Sequence, residues 1–261
     1  MAGLQFDGEM ARLQQAIAQC HDLVARRTAV LDVVHLSPGE HVLEFGCGDG
    51  FYSREAARFV GASGAVCAVD ISEDQIAMAK QNCDEFSHVE CQVANVLEIP
   101  YENDRFDAVY GVQVLEYVPE LEKALSEIHR VLKRGGRFVL LATNWDSLVW
   151  HSENPERMQK VLQAFDKHAP FPNLPSILPT KLRKGGFRVI RQLPVTVLNT
   201  SSSENAFSQY LAPMVKGFVQ SQGLVPEDEL EAWAAELADL NEKGEYWFAS
   251  TTVITEGLKP V

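Results

Sequence analysis

Glu44, Gly46, Gly48 and Gly50 stand at alternate positions of the run Val42-Leu43-Glu44-Phe45-Gly46-Cys47-Gly48-Asp49-Gly50. Three glycines so spaced remove side chains where a ligand would touch backbone and permit a sharp turn into a helix. The spacing separates ligand classes. A dinucleotide turn reads G-x-G-x-x-G and holds a pyrophosphate at a helix amino terminus. Here its third glycine position is Phe51, and Glu44 puts a negative charge where a pyrophosphate would be repelled. A cationic, phosphate-free ligand suits this turn better. Val42, Leu43 and Phe45 make the short apolar run of a buried parallel strand that would deliver the turn to the edge of a sheet.

In this form, E-x-G-x-G-x-G, the turn resembles the first motif of the class I S-adenosylmethionine-dependent methyltransferases. The resemblance implies that Glu44 meets the cofactor's ammonium group, directly or through water. It also implies that the cofactor's methionine and ribose parts lie across Gly46, Cys47, Gly48 and Gly50. Further segments follow in the order the family requires. Gly64-Ala65-Val66-Cys67-Ala68-Val69-Asp70 reads as a second buried strand ending in an acid, and a carboxylate there can accept from both ribose hydroxyls. The alternative for Asp70 is a helix cap, a role Ser72 could equally fill. Ile71 and Gln75 follow as further cofactor contacts.

Ala94-Asn95-Val96, at the end of a third strand pattern spanning 89–96, occupies the place where the family usually has an aspartate that accepts from the adenine amino group. The Asn95 oxygen can still accept, and its NH2 can donate to a ring nitrogen. Phe106 to Gly111 resembles the fourth strand, with Gly111 and Gln113 at its end beside the cofactor. Leu115-Glu116-Tyr117 then stands where the type 11 group usually runs leucine-glutamate-histidine, so Tyr117 replaces the histidine. The resemblance spans about residues 21–145, and it implies that helices over about 8–35 close on the cofactor, Arg26 or Arg27 meeting its carboxylate.

The acceptor side rests on two stretches. Asn144 to His151 follows the fifth strand pattern, Arg137 to Ala142, and so lies past a strand's carboxyl end, where open α/β sheets place ligands. Trp145 and Trp150 would wall an apolar or planar acceptor, and Asp146 or His151 would act as a base. Their plain alternatives are a helix cap for Asp146 and a solvated surface position for His151, which is preferred to His168 and His129. The second stretch separates the last two strand patterns, Phe187 to Pro194 and Tyr246 to Thr255, by about fifty residues, far beyond a hairpin loop. Phe207, Leu211, Met214, Val215, Phe218 and Val219 form one helical stripe there; Leu230, Trp233, Ala234, Leu237 and Leu240 form another. They read as packing surfaces or as a lid whose edges, Tyr210 and Met214, face a substrate.

The elements that must position these groups alternate strand and helix. Leu121, Ala124, Leu125, Ile128, Val131 and Leu132 share one helical face, which Gly135-Gly136 is expected to stop. Right-handed crossovers then place helices on both faces of a sheet. The expectation is an α/β, Rossmann-like seven-stranded sheet, mostly parallel with an antiparallel last strand, in a single methyltransferase domain over 1–261. Within it lie a helical cap at 1–35, a cofactor-binding core at 36–145 and a helical lid at 195–244.

Composition narrows the function further. The 261 residues carry 36 acids against 23 Lys and Arg, a formal charge of -13, which disfavours phosphate backbones as partners. The expected partner is a small-molecule methyl acceptor, with neither nucleic acid nor membrane, and the oligomeric state stays open. The five cysteines show no metal spacing, so no metal is expected and a reducing cytoplasm is the natural compartment. No apolar run reaches the roughly 20 residues that span a bilayer. The reading that results is methyl transfer to an O, N or C nucleophile of a small apolar or aromatic metabolite. Its alternatives are a cofactor-binding sensor or partner subunit without transfer activity, and a protein or nucleic-acid methyltransferase.

Overall fold

The apolar strand runs assemble side by side into one seven-stranded sheet. In the computed structural model, which describes residues 17–203 and 205–261, the strands are β1 (His41–Phe45), β2 (Ala65–Asp70), β3 (Val89–Val93), β4 (Phe106–Val112), β5 (Leu132–Trp150), β6 (Arg188–Asn199) and β7 (Phe248–Leu258). Their spatial order is β3-β2-β1-β4-β5-β7-β6. The first five pair in parallel, and β7 runs antiparallel to both β5 and β6. The order reverses between β1 and β4, which opens a crevice at their carboxyl ends where such sheets hold ligands.

The helices are α1 (His21–Val34), α2 (Phe51–Val60), α3 (Glu73–Asn82), α4 (Leu121–Val131), α5 (Pro155–Phe165), α6 (Leu174–Lys184), α7 (Phe207–Ser221) and α8 (Glu227–Glu242), with short 3-10 turns at Leu115–Tyr117 and Asp166–His168. Alternate strand residues feed opposite cores. Leu43, Phe45, Val109 and Phe138 pack with the faces of α4 and α6, while Val42, Val66, Tyr110 and Val139 pack with α1 and α2. Residues 8–16 of the expected cap lie outside the described residues.

Several boundaries differ from the sequence pattern, each for a pairing reason. α4 stops at Val131 rather than at the glycines, because Leu132 already pairs with Phe106 in β4. β3 ends at Val93, and Asn95 makes a local bridge with Glu98. β5 does not stop at Ala142. It runs on to Trp150, its register against β7 slipping between Asn144 and Val149 before Trp150 pairs with Phe248. The prolonged β5, β6 and β7 carry an additional apolar core in which Trp145, Trp150, Phe165, Phe218, Trp233 and Phe248 are buried. The insert between β6 and β7 thus holds two helices, as the stripes imply, and α5 joins them.

Among the described residues no helix is long and apolar enough to cross a membrane, and no group of three His, Cys, Asp or Glu could hold a metal ion. All five cysteines are buried and free.

Candidate functional site

The three turn glycines adopt left-handed φ values of 63°, 53° and 82° at Gly46, Gly48 and Gly50, a region that strains any residue with a Cβ. They differ in what surrounds them. A Cβ at Gly46 would overlap Val114, and one at Gly50 would press on Ala79 at 2.9 Å. At Gly48 it would meet only Gln75 Oε1, at 3.7 Å, so this glycine faces open space rather than packed protein. The Gly48 amide donates to Asp70 Oδ2 at 2.9 Å, and the Ser72 amide donates to Oδ1 at 3.0 Å. Ser72 caps α3, its hydroxyl accepting from the Gln75 amide at 3.3 Å. Of the two sequence candidates for that cap, the helix therefore uses Ser72, and Asp70 is held as a half-buried carboxylate at the mouth of the turn.

Ile71, next to Asp70, is 70% exposed, an apolar platform at a strand end that the planar ring of a ligand would cover. Ala94 is tied to β2 through its amide, 2.8 Å from Asp70 O. The exposed Asn95 accepts from the Leu97 amide at 2.9 Å through Oδ1, which orients its NH2 as a donor. Val96 packs half-buried behind it. An oriented carboxylate, an apolar platform, an amide and an open glycine fit the ribose, ring and edge of a nucleoside cofactor.

Glu44 lies one layer deeper. It is 1% exposed, and its Oε2 accepts from Ser53 Oγ and, at 3.0 Å, from Tyr110 OH. Tyr110 is its direct partner across the β1–β4 pairing. Burial pushes the Glu44 carboxyl up to about 8, against the lowering effect of those two donors. The group expected as an anion at the strand end, meeting the cofactor's ammonium directly or through water, is thus a buried acid in this structure. Asp49, on the turn itself, is raised to about 6 by burial. Cys47 is a buried thiol packed with Ala68, Ile76 and Cys83. Gly111 lies within β4, and a Cβ there would overlap the Phe45 ring, so its requirement for glycine comes from packing.

Gln113 gathers three elements. Its own backbone is left-handed, φ 54°, its Oε1 accepts from Arg26 Nη1 of α1, and its Nε2 donates to Thr143 Oγ1 of β5 at 2.7 Å. The Arg27 guanidinium lies 5.3 Å from the centre of the Phe51 ring and donates to Ala18 O at 3.0 Å. Glu116 is fully buried, accepts from the Thr143 amide at 3.4 Å, and is pushed up to about 7 by burial. The links Tyr110–Glu44, Arg26–Gln113–Thr143 and Glu116–Thr143 are absent from the sequence reading. Only the neighbouring of β1 with β4 could have suggested the first.

A cleft of about 760 Å³ lies along the prolonged β5 and α5, lined by Trp145, Asp146, Trp150, His151, Met158, Leu162, Asp166 and Trp247 among others. It brings together four of the residues expected around an acceptor. Trp145 and Trp150 are 5% and 4% exposed, so each presents an edge to the cleft while most of its ring belongs to the core. Trp150 Nε1 donates to Tyr246 OH at 2.8 Å. Asp146 is exposed and accepts from Asn173 Nδ2 at 3.3 Å; the cap of α5 is Asn154. His151 is exposed, its amide bonded to Trp247 O at 2.9 Å. Tyr210 and Met214 do not join this group: they pack on Ile17, Cys20 and Leu23 beside α1.

Known proteins show likenesses to this chain in sequence and in fold. The model of a family described as a methyltransferase domain matches residues 43–140. The demethylmenaquinone methyltransferase of Symbiobacterium thermophilum is 34% identical over 110 residues, 41% of this chain and 44% of that protein. The 24-methylenesterol C-methyltransferase 3 of Arabidopsis thaliana is 29% identical over 169 residues, 62% of this chain and 45% of that one. The matches thus span less than half the length of these relatives. Among solved structures, the phosphoethanolamine N-methyltransferase 2 of Haemonchus contortus with S-adenosyl-L-methionine superposes with a TM-score of 0.62 at 17% identity, covering 98% of this chain and 58% of that one. At that identity the likeness is one of fold.

Proposed function

Starting from residues 43–140 as a class I methyltransferase domain of the type 11 group, we propose that this chain transfers a methyl group from S-adenosylmethionine to an O, N or C nucleophile of a small, apolar or aromatic molecule. The observation that carries the reading is the pair of backbone amides that orient Asp70 beside the open Gly48. Bound there, the cofactor supplies a methyl group already activated on a sulfonium. The chain's own residues then have to hold and align. Asp70 accepts from the ribose hydroxyls, Ile71 covers one ring face, and the Asn95 NH2 meets the ring edge. Gln75, Ala94 and Val96 shape the same crevice, and Gln113 ties α1 to it through Arg26.

The acceptor occupies the cleft beside Trp145 and Trp150, with Asp146 and His151 at its rim as candidates for proton removal. Positioning and exclusion of water supply much of the rate when the methyl group is already activated. In this reading 36–145 is the cofactor core, α1 belongs to the cap, and α7 and α8 form the lid, with α5 as a third lid helix. The quinone and sterol named in the two relatives support a largely apolar acceptor. Incubation with methyl-tritiated S-adenosylmethionine and a panel of naphthols, naphthylamines and quinols tests it. Label recovered in an organic extract is expected. Cofactor binding with no label in any small molecule would favour the sensor reading.

A further inference from the structure

Two buried side chains behind the cleft have polar atoms with no hydrogen-bond partner: Trp145 Nε1 and His168 Nε2. Their residues are 5% and 0% exposed. Their rings meet edge to face, centres 4.7 Å apart and planes at 86°. They are chemically complementary. An indole nitrogen only donates. His168 Nδ1 lies 2.7 Å from Phe165 O, and a carbonyl only accepts, so Nδ1 carries the ring proton and Nε2 offers a lone pair. Burial lowers this imidazole to about 4, which keeps it neutral at physiological pH.

A buried donor and a buried acceptor, both left open on rings in edge-to-face contact, are suited to one group that does both. A hydroxyl does: its oxygen accepts while its hydrogen donates. An ether or a carboxylate accepts only, and an aryl amine donates but accepts weakly, because its lone pair is delocalised into the ring.

The surroundings fix what carries that hydroxyl. Phe165 stacks on His168 at 4.1 Å with planes 5° apart, and Tyr117 and Phe218 meet the same ring edge on at 5.7 Å and 6.2 Å. The cleft adjoins this box at Trp145, Leu162 and Asp166, the last of these lying two residues before His168. On its other side, Tyr117 follows Glu116 in the 3-10 turn after β4, where Glu116 bonds to Thr143 and Thr143 to Gln113. A planar, apolar body in the cleft can therefore direct a polar substituent towards the cofactor side.

We propose that Trp145 Nε1 and His168 Nε2 form a hydroxyl-recognition site that seats a phenol- or enol-type acceptor for O-methylation. This inference rests on the methyltransferase reading above, narrows its nucleophile to oxygen, and moves proton removal from the rim residues Asp146 and His151 to His168. As the O–CH3 bond forms and the S–CH3 bond breaks, sulfur keeps its electron pair and the hydroxyl proton passes to His168 Nε2. A weakly basic imidazole suffices, because an oxygen bearing both its proton and a new methyl group is a strong acid.

The test compares 2-naphthol with 2-methoxynaphthalene on the full chain by calorimetry, with S-adenosylmethionine titrated into the same preparations. Wild type is expected to bind the naphthol at least tenfold more tightly. His168→Phe and Trp145→Phe, which keep an aromatic ring, are each expected to reduce that preference below threefold while S-adenosylmethionine affinity holds. A second measurement needs no variant. In protein labelled with 15N-histidine, 2-naphthol should shift Nε2 of a single Nδ1-protonated ring, and 2-methoxynaphthalene should leave it in place. Equal affinity for the two probes, or an unmoved Nε2 signal, overturns the hydroxyl site even where S-adenosylmethionine binds. Failure of S-adenosylmethionine to bind overturns the methyltransferase reading instead.

Discussion

The amide of Gly48 donates to Asp70 Oδ2 at 2.9 Å, linking the turn after β1 to the end of β2 across 22 residues of chain. This single bond sets the distance between the backbone on which a cofactor would rest and the carboxylate that would grip its ribose. Asp70→Ala is therefore expected to weaken S-adenosylmethionine binding by about 1.5–3 kcal/mol, the scale of hydrogen bonds to a charged group. Asn95→Ala should cost less, since its contacts are neutral. Calorimetric affinities of the two variants, with far-UV circular dichroism to check the fold, decide this; an unchanged affinity in Asp70→Ala would remove the ribose contact.

Gly48 and Gly111 should separate binding from folding. Both sit at the crevice end of the sheet, yet a Cβ at Gly48 has room, while one at Gly111 overlaps the Phe45 ring. Gly48→Ala should cost about 1 kcal/mol or somewhat more in stability from its left-handed backbone and block the cofactor. Gly111→Ala should cost about 1–3 kcal/mol through overpacking. Denaturant melts paired with cofactor titrations of each variant check the contrast.

Glu44 predicts a pH signature. Its folded pKa, about 8, lies above its ordinary value of 4.5. Its stabilising contribution is therefore complete below about pH 4.5 and is lost as pH rises to about 8, because the unfolded chain ionises this group first. Glu44→Gln is shaped like the protonated acid and keeps an oxygen for Ser53 and Tyr110. The difference in melting temperature, variant minus wild type, should rise between pH 5 and 8 by at least about 2–4 °C, equivalent to about 1 kcal/mol for a chain of this size. A flat difference across that range would show that Glu44 is ionised in the folded chain.

How legible the site is in the sequence depends on how local its geometry is. The glycines, Asp70 and Asn95 each sit at the end of a short apolar run, and their places at the crevice follow from strand ends and chain order. The fold class is legible for the same reason. The surroundings of Glu44 are not, because Tyr110 faces it only once β1 and β4 are neighbours. The acceptor side is obscured further. The apolar run ends at Ala142, but β5 continues through a register slip to pair Trp150 with Phe248, a tertiary override of a local pattern. His168 carries no sequence signal of its own: a lone histidine in a turn gains meaning only from Phe165, Trp145 and Tyr117 around it.

Trp150 and Trp247 make opposite contributions to the cleft. Trp150 is buried edge to face against Trp233 and bonded to Tyr246, whereas Trp247 is 41% exposed. Trp150→Ala should destabilise the fold by about 3–5 kcal/mol. Trp247→Ala should stay within about 0.5 kcal/mol of wild type and raise the apparent KM for an acceptor. Thermal melts and steady-state kinetics distinguish the two roles.

S-adenosylmethionine is proposed to lie across the turn from Gly46 to Gly50, gripped by Asp70. Isothermal titration of the full chain with S-adenosylmethionine and, separately, with NAD and NADP tests it most directly. One equivalent of S-adenosylmethionine should bind, with its affinity reduced in Asp70→Ala and no heat from either dinucleotide. Binding of NAD or NADP without detectable S-adenosylmethionine binding would contradict the account.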